Sequence, residues 1–298
     1  MSKALVIGSA GNIGKPLVRY LKELDYEVRE VDIKPGWREN YYVADITKPA
    51  DLIEPFSFNP DYVFHLAAMV SRVTCEQSGS MCIDTNLYGT QNVIELTKKC
   101  NAKLINFSTS EVYGPNVEVM DEDEKAHPNN RYGLSKLLAE QLVEYEVQQH
   151  GLDAVTLRPF MMYDENEDLG DHRSAMIRFA YNLQHGLPIE VHKGSARGWL
   201  HVSDAVRAIE AATRVKNYEV INIGNPNVHT IEELALMICE ELQADRSLIH
   251  YTELPERMTL VKRPTLEKQK NILGIETKVQ LKEGVKRVCE MIRKREMK

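Results

Sequence analysis

Two residues at helical spacing supply the first candidate chemistry. The run Arg131-Tyr132-Gly133-Leu134-Ser135-Lys136 opens a predicted helix, and Tyr132 and Lys136 stand at i and i+4, on one face. A free phenol titrates near about 10 and is a weak base at neutral pH, but a nearby ammonium stabilises its phenolate. Such a pair can take a hydroxyl proton while a hydride leaves the same carbon. Upstream, Ser108-Thr109-Ser110-Glu111-Val112-Tyr113-Gly114 follows a buried apolar run. Hydroxyls at the carboxyl end of a parallel strand face the crevice where ligands bind. Thr109 is thus expected to align the reacting oxygen with Tyr132. Ser108 and Ser110 lie beside it, and Glu111 is the adjacent carboxylate. Taken singly, each has a plainer explanation: a surface helix pair, turn hydroxyls, a solvated acid. The combination makes an active site the better reading.

A second constellation lies near the start. Gly8, Gly11 and Gly14 are spaced GxxGxxG around Asn12 and Ile13, after a short apolar run and before a helical pattern. Glycines there allow a tight turn, close approach of backbone to a pyrophosphate, and close helix–strand packing, while the helix N-terminus offers N–H groups and partial positive charge. Asp32 ends the second strand, where a carboxylate accepts hydrogen bonds from both ribose hydroxyls and repels a 2′-phosphate. NAD is therefore favoured over NADP, with Lys34 tempering the preference.

The elements that must position these residues follow from periodicity. Residues 4–7, 27–33, 62–66, 104–107 and 154–157 read as strands. Helical patterns follow Gly14 and span 84–99 and 131–150. This alternation predicts an α/β fold, a doubly wound parallel sheet of Rossmann type, with a smaller C-terminal α/β substrate lobe. We expect a cofactor domain over 1–157, rejoined by a segment at about 198–221, and a substrate lobe over 158–298. Residues 161–174 are polar and irregular, 121–125 a charged loop, and 222–226 a turn. Thr230 with Glu233 predicts a capping box.

The net charge is −7, without a basic stripe, which argues against a nucleic-acid partner. The five cysteines form no CxxC pair, so neither a disulfide framework nor a zinc knuckle is expected, and a reducing cytoplasm fits best. No apolar run suits a membrane span. The nine histidines form no HExxH, so no metal is expected, and His65 reads as a satisfied core residue. No GxSxG elbow points to a hydrolase.

With these motifs in view, the chain resembles the extended short-chain dehydrogenase/reductase family, in its NAD-dependent sugar-nucleotide epimerase/dehydratase branch. The likeness covers nearly the whole chain. It rests on the glycine loop, Asp32, Asp45-Ile46, His65-Leu66-Ala67-Ala68 and Asn86-Leu87-Tyr88-Gly89-Thr90. Ser108 to Gly114, the Tyr132/Lys136 pair, Arg158-Pro159 and Arg197 to Asp204 complete it. The resemblance implies that Asp45 and Ile46 line the adenine, and that Leu66, Ala67 and Ala68 line ribose and pyrophosphate. It implies that Asn86 braces the cofactor site, to which Ser108, Pro159 and Phe160 also belong, and that Lys136 holds the nicotinamide ribose. Arg197 would meet the nucleotide part of a nucleotide-sugar substrate, and Arg263 its phosphates. A homodimer built on 84–99 and 131–149 is implied as well. Met161 and Asp164 depart from the branch pattern, where asparagine and glycine are usual.

The reaction implied begins with oxidation of the sugar 4-hydroxyl to a ketone. Return of hydride to the other face gives a 4-epimer, which ranks first. A decarboxylase of the UDP-glucuronate type ranks second, with Arg173 the candidate cation for the carboxylate. A 4,6-dehydratase ranks third, because Ser110-Glu111 replaces the usual Asp-Glu pair. Two readings from other classes are a reductase of a hydrophobic alcohol or ketone and a non-catalytic NAD-sensing module.

Overall fold

Short apolar runs separated by amphipathic segments become β1 (Lys3–Ile7), α1 (Gly14–Glu23), β2 (Glu27–Asp32), β3 (Tyr41–Val43), α2 (Pro49–Phe56) and β4 (Tyr62–His65). There follow α3 (Arg72–Gln77), α4 (Gly79–Ile83), α5 (Gly89–Lys99), β5 (Lys103–Phe107), α6 (Arg131–His150) and β6 (Ala154–Pro159). The computed structural model describes residues 1–115, 119–170, 174–255 and 258–296. In β1, Ala4, Leu5, Val6 and Ile7 are fully buried. A strand with no exposed face must be covered by helices on both sides, as parallel strands are.

The chain then runs through β7 (Met162–Tyr163), α7 (Ala175–Gln184), β8 (Ile189–His192), β9 (Ala196–Gly198), β10 (Leu200–His201), α8 (Val202–Ala211) and β11 (Val220–Ile223). It ends with β12 (Val228–Thr230), α9 (Ile231–Leu242), β13 (Ile249–Thr252), β14 (Val261–Lys262), α10 (Glu267–Asn271) and α11 (Leu281–Glu296). The main sheet has seven parallel strands in the order β11-β6-β5-β4-β1-β2-β3. Its order reverses between β1 and β4, the switch point where open α/β sheets bind ligands. One face packs α1 and α8 residues against the strands. The other carries α2, α5 and α6. A separate core joins α7, α9 and α11 with Trp199.

The α/β expectation matches this architecture. Three local expectations are corrected. Asn222 and Ile223 are not turn residues but the end of β11, hydrogen-bonded beside β6 in the sheet. The stretch 84–99 is not one uniform α-helix: Asp84–Tyr88 is a π-turn that leads into α5. His65 is only half satisfied, since Nε2 meets Thr90 Oγ1 at 3.0 Å while Nδ1 has no partner among the described residues. The Thr230–Glu233 capping box is present.

Candidate active site

Helix α6 starts where it does because Asn130 caps it, its side chain accepting from Gly133 N at 2.9 Å. Gly133 allows a close approach: a Cβ there would stand 2.6 Å from Glu111 O. The first turn of α6 is thereby pressed onto the segment after β5, which brings the Tyr132 phenol up to Thr109. Lys136, one turn on, is 2% exposed. Burial lowers its ammonium to about 8, with Glu140 and Cys82 opposing. Burial likewise raises the Tyr132 phenol well above its ordinary value, although Thr109 pulls it down. Lys136 does not lower the phenol as its helical spacing from Tyr132 predicts. In this state desolvation is the larger influence, and the phenol is neutral.

The glycine loop opens α1. A Cβ on Gly14 would lie 2.1 Å from Gly8 O, so only glycine lets the helix sit this close to the turn. No side chain caps α1, and its first turn holds no acid. Lys15 N already donates to Gly11 O at 3.1 Å and Pro16 has no N–H, so the groups left for an anion such as a pyrophosphate are the N–H groups of Asn12, Ile13 and Gly14. Asp32 accepts from Ala10 N at 2.8 Å and from Lys34 N at 2.9 Å, one carboxylate oxygen each. Each oxygen keeps a further lone pair for a ligand. These donors and acceptors fit a dinucleotide with a free ribose diol.

The expected residues converge on one cleft of about 1350 Å³. Gly8, Gly11, Asn12, Ile13, Gly14, Asp32, Asp45, Ile46, Leu66, Ala67 and Ala68 line it. So do Ser108, Thr109, Ser110, Glu111, Tyr132, Lys136, Pro159, Phe160 and Arg197, together with the atypical Met161 and Asp164. Asn86 sits behind the wall instead. It donates to Met69 O at 3.0 Å and Ser135 Oγ at 2.9 Å, and accepts from Met69 N at 2.7 Å, clamping the strand-end loop to α6. Arg263 is exposed and lies outside the lining. Strand alternation turns its neighbour Lys262 inward in its place. Arg173 falls outside the described residues.

Periodicity and motif gave no sign of the cations around Glu111. Lys262 pairs with Glu111 Oε1 and meets Ser110 Oγ at 3.2 Å, while Arg72 lies 4.0 Å from Oε2. Asn130 Nδ2 donates to Glu111 at 3.0 Å. Burial alone would raise the Glu111 carboxyl, but Lys262 and Arg72 outweigh it and hold it at about 2. Burial pulls Lys262 below its ordinary value. Arg197 spends three hydrogen bonds of 2.7 Å on the backbone carbonyls of Ala196, Leu260 and Thr259, fixing the strand edge before β14. Arg178 and His192 also line the cleft, and burial lowers the imidazole of His192. For Lys262 the strand alternation beside Arg263 was an available signal; for Arg72 none was.

Among the described residues no helix is long and apolar enough to cross a membrane. The five cysteines are free thiols.

The model of the NAD dependent epimerase/dehydratase family matches residues 4–224. UDP-glucuronic acid decarboxylase 6 of Arabidopsis thaliana is 30% identical over 95% of this chain and 86% of its own length. A putative UDP-glucose 4-epimerase of Methanocaldococcus jannaschii is 30% identical, over 97% of this chain and 98% of its own. The UDP-glucose 4-epimerase of Thermotoga maritima, solved with UDP-glucose, superposes with a TM-score of 0.92 at 30% identity, covering 98% of this chain and 99% of that one. The chain belongs to the NAD-dependent epimerase/dehydratase family and is an enzyme whose cofactor is NAD.

Proposed function

We propose that this enzyme is a 4-epimerase of a nucleotide-diphosphate hexose. The observation that carries the proposal is the state of Glu111. Its carboxylate is held at about 2 by Lys262 and Arg72 and also bonded by Asn130, so it has no proton to give in an elimination. Tyr132 with Thr109 is then the proton-transfer pair at the reacting carbon, which is what inversion at C4 requires.

In this reading, α1, Asp32, Asp45, Ile46 and Leu66–Ala68 bind the dinucleotide. Bound NAD supplies the acceptor and donor of a hydride and, when oxidised, a positive ring. Thr109 orients the sugar 4-hydroxyl. Tyr132 takes its proton as the 4-keto sugar forms and returns it on reduction from the other face. Lys136 stabilises the phenolate and holds the nicotinamide ribose. Lys262 and Arg197 meet the nucleotide diphosphate, with Lys262 in the part assigned by resemblance to Arg263. The proposal also divides the chain into a cofactor lobe over 1–157, rejoined by about 198–221, and a substrate lobe over 158–298. It includes a homodimer through 84–99 and 131–149, where Tyr88, Leu134 and Tyr145 are exposed; sedimentation equilibrium tests that assembly.

The test is incubation with UDP-, GDP-, CDP- and dTDP-linked glucose, galactose and glucuronate. Products are read by NMR while absorbance follows NADH. Inversion at C4 without net NADH is expected. A second reading, a decarboxylase of a nucleotide-diphosphate uronate, is favoured by the cations Arg72 and Lys262 beside Ser110 and Glu111. Carbon dioxide release with a pentose product would replace the first reading by the second. No change in any sugar nucleotide would overturn both.

A further inference from the structure

His65 ends β4 fully buried, and its protons can be assigned from its contacts. The single hydroxyl proton of Thr90 is donated to Asn86 O at 2.7 Å. The 3.0 Å contact between Thr90 Oγ1 and His65 Nε2 therefore requires the imidazole to donate there. Burial, with Lys136 adding to it, holds the ring at about 3, so it is neutral. Nδ1 then carries a lone pair, and no described protein atom meets it. Asn106 is the register neighbour of His65 on β5. Its Nδ2 donates to Thr156 Oγ1 at 3.2 Å, which leaves Oδ1 buried without a partner among the described residues. Register neighbours share a face of the sheet. Two acceptors thus stand side by side, both on residues that are 0% exposed.

Helix α6 covers this face and carries Lys136, 2% exposed. The titratable groups that interact with Lys136 are Glu140 on its own helix, Cys82 on α4 and His65 on β4; Tyr132 lies one helical turn before it. A buried ammonium is stable only if acceptors answer its donors. We propose that His65 and Asn106 are positioning residues for Lys136, acting through one water molecule that donates to His65 Nδ1 and Asn106 Oδ1 and accepts from the Lys136 ammonium. Such a water makes three hydrogen bonds, about the number typical of buried water. With both hydrogens committed to the sheet, it presents a lone pair to the ammonium and favours the charged form.

The inference concerns Lys136 alone and does not depend on which sugar is converted, so its test needs no substrate. Lysine labelled at 13Cε is titrated by NMR in the full-length protein, with the Lys136 signal assigned through Lys136→Arg; 15N-labelled histidine reports the His65 tautomer. The expected tautomer is Nε2–H at pH 7. Asn106→Leu should lower the Lys136 midpoint by about one pH unit, because the water that accepts from the ammonium loses one of the two groups holding it. Asn106→Asp should raise it. A loss of packing moves both variants in the same direction, and that result overturns the proposal, as does an Nδ1–H tautomer. If the leucine variant does not fold, the tautomer and the Asn106→Asp midpoint still decide. A high-resolution crystal structure should show water density touching all three atoms.

Discussion

Lys262 closes onto Glu111 from 151 residues further along the chain, and the pair forms part of the cleft wall. Both side chains are largely removed from water, at 8% and 15% exposure, so breaking the pair leaves a poorly solvated charge. Lys262→Met should lower unfolding free energy at pH 7 by about 3 kcal/mol. The Glu111 carboxyl lies at about 2 in the folded chain against an ordinary 4.5. A depressed carboxyl contributes stability that is complete above its unfolded value and is lost as pH falls through the folded one. Urea unfolding at pH 7 and pH 3.5 should therefore show the gap between wild type and variant narrowing at the lower pH.

Lys136 follows the opposite logic. Burial lowers its ammonium to about 8 from an ordinary 10.5. Between these values the unfolded chain binds more protons than the folded one, so this group's contribution to stability rises with pH over that window. Below about pH 8 both states are protonated and the burial cost is felt in full. Urea midpoints at pH 7.5, 9 and 10.5 should climb more for wild type than for Lys136→Met. Equal slopes would show that the ammonium is not desolvated as described.

Tyr132→Phe removes the phenolic oxygen and keeps the ring. Turnover should fall by about 10²- to 10⁴-fold, the usual range for a lost acid–base group. NAD binding, followed by protein fluorescence, should persist. Activity at the wild-type level would remove Tyr132 from the chemistry.

Asp32→Ala deletes an acceptor used by Ala10 N and Lys34 N as well as by a ribose. Affinity for NAD should drop by about 10- to 100-fold, in line with hydrogen bonds to a charged group. The preference over NADP should shrink because the repelling carboxylate is gone. Calorimetric titration with both dinucleotides measures the two effects. An unchanged ratio would mean that Asp32 serves only the turn.

The parts of the site that were legible in sequence are those encoded locally. Tyr132 and Lys136 are one helical turn apart, and Gly8 to Gly14 is a single strand–turn–helix unit. Asp32 sits at a predictable strand end. Arg72 could not be found this way, and Lys262 only through its place beside Arg263, because the carboxylate they share is brought to them by the tertiary fold. Arg263, which the resemblance implies for the substrate phosphates, is exposed, while its neighbour Lys262 is buried in the cleft wall; adjacent side chains of extended chain take opposite sides. For Asn86 the resemblance supplied the correct neighbourhood but not the contacts, which run to Met69 and Ser135. The fold was legible for the same reason as the glycine loop, since buried parallel strands announce themselves as short apolar runs. Strand β11 was obscured by Asn222, a buried polar residue that accepts from Tyr113 Oη at 2.7 Å.

The two-strand pairing of β7 with β10 sets Met162 beside Leu200 and Tyr163 beside His201. The chain leaves the catalytic floor and comes back to it at neighbouring points. The described residues between Asp164 and Trp199 form an excursion whose ends are joined by hydrogen bonds. Its interior is itself packed, with α7 in the smaller core, β8 paired with β13, and β9 paired with β12 and β14. Within β7, Met162 packs against the core of the main sheet and Tyr163 belongs to the smaller core. The short parallel ladder is therefore a clasp that holds the two cores in register.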